Sequence, residues 1–318
     1  MGRSAAAQVG QPYATAINLH QVCLYRSGTG PAGRLFVDYE TGVGLFRSLG
    51  DKGRLRDCLG LAGIAAHLFG RLELGRRFLS ELLATHDEGE RSLPWTWGVT
   101  WLAAIDLRQG HTDEALAGLR RANASQGSER LDMTSITVHG LLSVALLRVG
   151  RVDEARVEAD RTRSLIAASG GHPTGHPVLD GYAGLAEVSL AEWDAASSAA
   201  ERKRARRQVE EACLFLDRYR RVFPIGEPAF RLYRGHLAAR VGGQRTAVQE
   251  WKRSLRAAEA LDMRYETARA HLALGTAVKA ERVERDTHLG AAAAALTEMG
   301  VPADAPGLGV IHEGRSAT

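Results

Sequence analysis

Three glycines near the amino terminus have the spacing of a dinucleotide-binding loop. Gly28, Gly30 and Gly33 form G-x-G-x-x-G, which cradles a pyrophosphate when a strand precedes it and a helix follows. The preceding residues, YATAINLHQVCLYR, keep a helical period instead. Pro31 also suits the first turn of a following helix. We therefore predict a turn between two helices and no bound cofactor.

Two histidines in the segment GGHPTGHP are the most obvious candidate metal ligands. His172 and His176 each precede a proline, which disfavours helix and so prevents a shared helical face. The segment is typical of a loop between helices, and we expect no metal site there.

A basic run and a tryptophan cluster could bind a partner. Arginine and lysine are concentrated in ERKRARRQVEEA, which could contact phosphates. Glutamates flank the run and no aromatic residue interleaves with it, which favours a solvated helix face. Nucleic-acid binding through the basic helix 202–221 is therefore the less favoured alternative. Trp97 and Trp101, with Trp95 beside them, could anchor a ligand or fill the space between stacked helices.

Catalytic patterns are missing from the sequence. It contains neither G-x-S-x-G nor H-E-x-x-H, and no nucleophile stands with a recognisable base and orienting group. We predict no catalytic residues and a protein that is not an enzyme.

Composition indicates an ordinary globular chain. Of 318 residues, 45% are apolar and 25% charged, and the net charge is only +4. The three cysteines are isolated, which is typical of reduced, buried thiols. No apolar leader and no membrane-spanning stretch is evident, so we expect a cytoplasmic protein without a membrane partner.

A period of forty residues organises the chain. Gly70, Gly110 and Gly150 are the second residues of the aligned fragments FGRLELG, QGHTDEA and VGRVDEA, and one step of 40 residues back lies Gly30. A later copy contains Gly242. Residues seven before and five after these glycines are mostly small, which lets two helices approach closely around a tight turn. Apolar residues between the glycines follow helical spacing, and no strand pattern appears.

This pattern resembles the tetratricopeptide repeat, although its period is longer than the usual thirty-four residues. The resemblance implies an all-α solenoid with a concave binding groove. Arg108, Arg148 and Arg240 each stand two residues before a turn glycine, a position that borders the groove in such repeats. A row of guanidinium groups there would bind an acidic peptide or protein segment. The alternative is that each cation complements the carboxyl end of its own helix.

The segment RVFPIGEPAFRLYRGHLAARVGGQRTAVQEWKRSLRAAEALDMRYETARAHLALG is similar to the carboxyl-terminal helical region of large bacterial signalling ATPases of the STAND type, including cyclase- or kinase-linked and MalT-like proteins. This implies a sensor or regulatory role. No phosphate-binding motif G-x-x-x-x-G-K-[ST] accompanies it. We predict a non-catalytic scaffold in bacterial signalling or transcription control. The alternative is the regulatory region of a larger ATPase or cyclase.

The domain prediction is a flexible segment at 1–10, a repeat domain at 11–300 and a flexible tail at 301–318. The fifth hairpin is expected to be irregular, because position 190 has no glycine and WDAASSAAERKR is typical of an inserted loop. The predicted hairpins span 11–49, 51–86, 92–127, 131–169, 176–221, 226–260 and 263–299.

Overall fold

The glycines of the forty-residue period end the first helix of their hairpins. Gly30, Gly70, Gly110, Gly150 and Gly242 all have positive φ, between 58° and 84°. A residue with a Cβ is strained in this left-handed region, whereas glycine is not. The turn predicted from the spacing is therefore present at all five positions.

The computed structural model describes residues 11–125, 133–277, 282–302 and 305. Fourteen α-helices and no strand occur in these ranges. Consecutive helices pair into seven hairpins, which confirms the prediction of an all-α solenoid. The helices are α1 Pro12–Thr29, α2 Leu35–Ser48, α3 Lys52–Leu68, α4 Leu72–Ala84, α5 Leu93–Arg108, α6 Thr112–Ser125, α7 Met133–Arg148, α8 Val152–Ala168, α9 Leu179–Ala195, α10 Ala199–Val222, α11 Glu227–Arg240, α12 Gln244–Leu261, α13 Arg264–Gly275 and α14 Arg282–Glu298.

Small residues at fixed points bring the two helices of a hairpin together. A Cβ added to Gly63 would lie 2.4 Å from the side chain of Leu79. A Cβ on Gly235 would lie 2.3 Å from Trp251 Nε1, which donates to the carbonyl oxygen of Leu232. The large residue of the second helix therefore packs directly on the backbone of the first, and Trp251 is a core residue.

The fifth hairpin is more regular than its sequence predicts. The expected inserted loop is absent, because α9 continues through Trp193 to Ala195 and α10 begins at Ala199. Ser198 caps α10 by accepting from the backbone N–H of Glu201, whose side chain accepts in return from the N–H of Ser198. This reciprocal cap fixes the start of the basic helix inside the segment predicted to be a loop.

The seventh hairpin, together with the end of the sixth, closes the solenoid against the first three hairpins. The backbone N–H of Arg264 donates to the carbonyl oxygen of Phe69 at 3.2 Å, and the amide of Gln109 donates to the carbonyl oxygen of Met299 at 3.2 Å. Ala32 donates to the carbonyl oxygen of Leu261 at 3.3 Å. The end of α12 thus lies against the turn at Gly30, and the seventh hairpin lies against the turns at Gly70 and Gly110.

The predicted flexible segments, 1–10 and nearly all of 301–318, lie outside the described residues. None of the described helices combines the length and apolar character that a membrane span requires.

Candidate functional site

Arg108 lies inside the closed solenoid rather than on an open groove. Its Nη1 donates to the carbonyl oxygen of His67 at 2.7 Å, and its Nη2 donates to Asp180 Oδ1 at 3.2 Å. The guanidinium also lies over the ring of Tyr265, 4.2 Å from the centroid. Only 9% of Arg108 is exposed. The guanidinium of Arg108 therefore contacts residues of three other hairpins.

Arg148 repeats the same bond one hairpin later. Its Nη1 donates to the carbonyl oxygen of Leu107 at 2.7 Å, and its Nη2 donates to Glu187 Oε1 at 3.1 Å. His67 and Leu107 each stand three residues before a turn glycine, near the carboxyl end of the preceding hairpin's first helix. The carbonyl oxygen of His67 also accepts from the backbone N–H of Gly70, and that of Leu107 from Gly110. Each arginine therefore adds a second, charged donor to its carbonyl and complements the helix dipole.

Arg240 is engaged differently from the other two arginines. Its Nε and Nη2 contact the two carboxylate oxygens of Asp194 at 2.8 and 2.5 Å, which is a bidentate pair between α11 and α9. Its Nη1 donates to the carbonyl oxygen of His236 in its own helix. The three arginines thus bond within the protein, and they do not form one row of unoccupied cations.

The two tryptophans predicted to bind a partner are buried. Trp101 is fully buried in α5, and its Nε1 has no acceptor among the described residues. Trp97 is 8% exposed and donates from Nε1 to Thr134 Oγ1 at 3.2 Å. Both indoles fill space between stacked hairpins.

Polar and charged side chains from six helices meet inside the solenoid, and we call this group the inner ionic cluster. The cluster contains three arginines and three carboxylates, together with one histidine and two tyrosines. Its members are His67, Arg108, Arg148, Asp180, Glu187, Tyr233, Tyr265, Glu266 and Arg269. The closing hairpin contributes the last three, and Arg269 Nη2 donates to the hydroxyl of Tyr233 at 2.9 Å.

The inner ionic cluster surrounds a cavity of about 50 Å³. This volume holds a few water molecules, whereas ligand pockets usually enclose several hundred Å³. Burial alone would raise the pKa of Asp180, but His67 and Arg108 hold that pKa at about 2. Burial and the nearby Arg108 lower the pKa of His67. The cluster pairs arginines with carboxylates of other hairpins, as in the Arg108–Asp180 and Arg148–Glu187 pairs, and so links the hairpins electrostatically.

A larger groove opens on the outside of the solenoid, between α10 and α11, and we call it the outer groove. Its volume is about 600 Å³, within the range of ordinary binding pockets. The lining residues are Glu210, Cys213, Leu214, Asp217, Arg220, Arg221, Phe230, Arg231, Arg234, Leu237, Ala238, Val241 and Thr246.

Phe230 forms the centre of the outer groove. Its ring is buried and lies under the guanidinium groups of Arg220 at 4.3 Å, Arg231 at 5.2 Å and Arg234 at 5.7 Å. Burial alone would raise the pKa of Glu227, but bonds from Arg231 and Arg220 hold that pKa below its ordinary value. Arg234 is exposed and has no carboxylate within ion-pair distance among the described residues.

Two large apolar side chains at the groove face solvent. Leu214 is 60% exposed on α10, and Val241 is 48% exposed just after α11. These two side chains offer apolar contact to a partner. Beside them lies the guanidinium of Arg234, which forms no ion pair with a carboxylate among the described residues. The sequence reasoning missed this surface, because Leu214 lies beside the buried Phe215 and Leu216 in the sequence and is not distinguished from them by type.

The other candidate residues do not converge on a site. The basic run of α10 is exposed, and within it Arg206 pairs with Glu210 at 2.8 Å. His176 is buried against Phe223, whereas His172 is exposed. No group of three metal-ligating side chains occurs in the part of the chain that the structure describes. Gly28 lies in the last turn of α1 instead of following a strand.

Comparison with known proteins finds similarity among solved structures. No protein-family model matches the sequence, and no curated protein matches it. Among solved structures, the chain is similar to a thermophilic TPR protein in Thermus thermophilus. That match has 23% sequence identity and a TM-score of 0.43, and it covers 64% of this chain and 90% of the other.

Proposed function

We propose that the protein is a non-catalytic scaffold that binds an acidic segment of another protein. The observation that supports this function best is the outer groove, where exposed apolar side chains adjoin the guanidinium of Arg234. Stacked hairpins provide a rigid frame for such a surface. The inner face of the solenoid offers a partner less accessible surface, because the closing hairpin and the inner ionic cluster occupy it.

The setting that we propose is bacterial signalling or transcription control. Its support is the sequence similarity between the segment from Arg221 to Gly275 and the helical region of STAND-type ATPases. The same similarity supports a second candidate, in which the chain is the regulatory region of a larger ATPase or nucleotide cyclase. A scaffold and a regulatory region would both act by binding a segment of protein.

Selection of short random peptides on the purified protein tests the scaffold function. We expect enriched sequences that carry acidic and apolar residues, that bind saturably and that compete with one another for one site. Failure to enrich any peptide above an empty support, together with turnover of a nucleoside triphosphate, would contradict the function.

Nucleic-acid binding through α10 predicts a different result. Its affinity would fall steeply with salt, because each phosphate contact releases a counterion. Binding of single- or double-stranded oligonucleotides that weakens in this way, without peptide binding, would favour that alternative.

A further inference from the structure

The outer groove has the length and shape of a helix-binding site. Residues of α10 line it at 210, 213, 214, 217, 220 and 221, and residues of α11 and its end line it at 230, 231, 234, 237, 238 and 241. Both sets follow helical spacing along one face. Each set spans about eleven residues, or roughly 16 Å at 1.5 Å per residue, which is about three helical turns.

Apolar and charged side chains both line the outer groove along this length. Leu214 and Val241 present exposed apolar surface, and Leu237 is partly buried between them and the core. The lining contains four arginines and two carboxylates, so its net charge is +2. Arg220 and Arg231 are held by Glu227, whereas Arg234 is available to a carboxylate from outside.

We infer that the outer groove docks an amphipathic α-helix of a partner protein, with apolar residues at i, i+3 or i+4, and i+7 and with acidic residues along one flank. This inference rests on the proposed scaffold function and names its partner. A furrow between two helices accepts the side-chain ridges of a third helix. Addition of a partner strand is not available to this surface, because the described residues contain no strand.

Arg234 is the residue that selects the acidic flank. A carboxylate placed over Phe230 would meet the Arg234 guanidinium, which is already held near the aromatic ring. The pair could be bidentate because a guanidinium matches a carboxylate in shape. The positive charge of the groove would also exclude a basic helix.

The experiment uses two synthetic helical peptides as probes. Both carry leucine at i, i+3, i+4 and i+7, and they differ only in having glutamate or lysine along one flank. Fluorescence anisotropy measures their binding to the full chain and to the variants Leu214→Asp and Arg234→Glu. Val157→Asp and Arg120→Glu are matched controls, because Val157 is 66% exposed on α8 and Arg120 is exposed on α6.

The inference predicts that the glutamate peptide binds and the lysine peptide does not. Leu214→Asp and Arg234→Glu should each weaken the glutamate peptide at least tenfold, and the two controls should leave it unchanged. Arg234→Glu should also gain measurable affinity for the lysine peptide. This reversal of preference cannot result from loss of folding.

Three results would overturn the inference. Equal binding by wild type and both groove variants would place the peptide elsewhere on the scaffold. Failure of wild type to bind either helix, while randomly selected peptides still bind, would reject the groove but leave the scaffold function intact. Self-association of the wild type that Leu214→Asp abolishes would show that the groove is covered by a second copy of this chain.

Discussion

The guanidinium of Arg108 donates to the carbonyl oxygen of His67, 41 positions earlier in the chain, at 2.7 Å. Arg148 and Leu107 repeat this bond at the same separation and the same distance. Each bond ties the end of one hairpin's first helix to the next hairpin. The recurring arginine is thus a connection between repeats, and its regular spacing in the sequence has a structural cause.

Replacement of Arg108 by methionine should destabilise the fold strongly. The variant leaves Asp180 buried with only His67 as a partner and removes a donor from the His67 carbonyl. Breaking a buried pair in this way costs about 3 to 5 kcal/mol. Urea unfolding followed by circular dichroism measures the change. Arg120→Met is the control, and we expect it to shift stability by less than about 0.5 kcal/mol. Equal stability of the two variants would show that Arg108 carries little of the inter-hairpin bonding.

The seventh hairpin packs against the turn at Gly70 but not against the turn at Gly150, so substitution by alanine should have different effects at these two glycines. Gly70 and Gly150 both have positive φ, 72° and 78°, so alanine strains either turn by about 1 to 2 kcal/mol. A Cβ at Gly70 would also lie 2.7 Å from the backbone nitrogen of Tyr265, whereas no described atom lies within 4 Å of one at Gly150. Gly70→Ala should therefore lower the unfolding free energy by about 1 to 3 kcal/mol more than Gly150→Ala. Thermal or urea unfolding measures the loss of unfolding free energy in each variant. Equal losses in Gly70→Ala and Gly150→Ala would argue against the closed arrangement.

His176 should make stability depend on pH below neutrality. Burial lowers the pKa of His176 to about 4, so its imidazole stays neutral in the folded state while the unfolded chain takes up a proton below about pH 6.5. The neutral imidazole therefore contributes about 3 kcal/mol to the unfolding free energy above pH 6.5. This contribution is lost as the pH falls from 6.5 towards 4.

The pH test compares two histidines of the same loop. His176→Phe should reduce the slope of unfolding free energy against pH between 4 and 6.5, whatever its effect at pH 7. Part of the slope should remain, because burial also lowers the pKa values of His67 and His236. His172→Phe is the control, because His172 is exposed. An unchanged pH slope in His176→Phe would mean that this imidazole is protonated in the folded protein.

The hairpins could be predicted because their signals are local. A turn glycine must adopt positive φ, and the small residues around Gly63 and Gly235 are needed wherever two helices touch. In the fifth hairpin this glycine is missing, and the segment predicted to be an inserted loop is mostly helical. The sequence S-A-A-E from Ser198 to Glu201 was the available signal, since it forms a capping box that begins α10.

Closure of the solenoid could not be predicted in the same way. It depends on small rotations between hairpins that add up along the stack, so that Arg264 meets Phe69 far away in sequence. The prediction that Arg108 and Arg148 border an open groove assumed an open superhelix. Once the last two hairpins lie across the first three, the same positions become interior. The outer groove was missed because Phe230 and Leu214 belong to different hairpins.

The glycine-rich stretch should bind no nucleotide. Gly30 ends α1 with φ of 58°, and a Cβ there would lie 2.5 Å from the side chain of Leu261. The turn is therefore covered by the protein itself, and no strand precedes it among the described residues. Titration of labelled ATP with magnesium should show no saturable binding. Micromolar binding that Gly30→Val abolishes would show that this turn is a phosphate site after all.

The most direct test of where this protein recognises its partner is photo-cross-linking with a selected peptide that carries a benzophenone group. Because the closing hairpin fills the interior, we predict cross-links to the outer groove, within residues 199–241, as mapped by mass spectrometry after digestion. Competition with unlabelled peptide should suppress them. Cross-links concentrated instead on α3, α5 and α7 around the inner ionic cluster would contradict the account, because they would show that the solenoid opens and binds its partner inside.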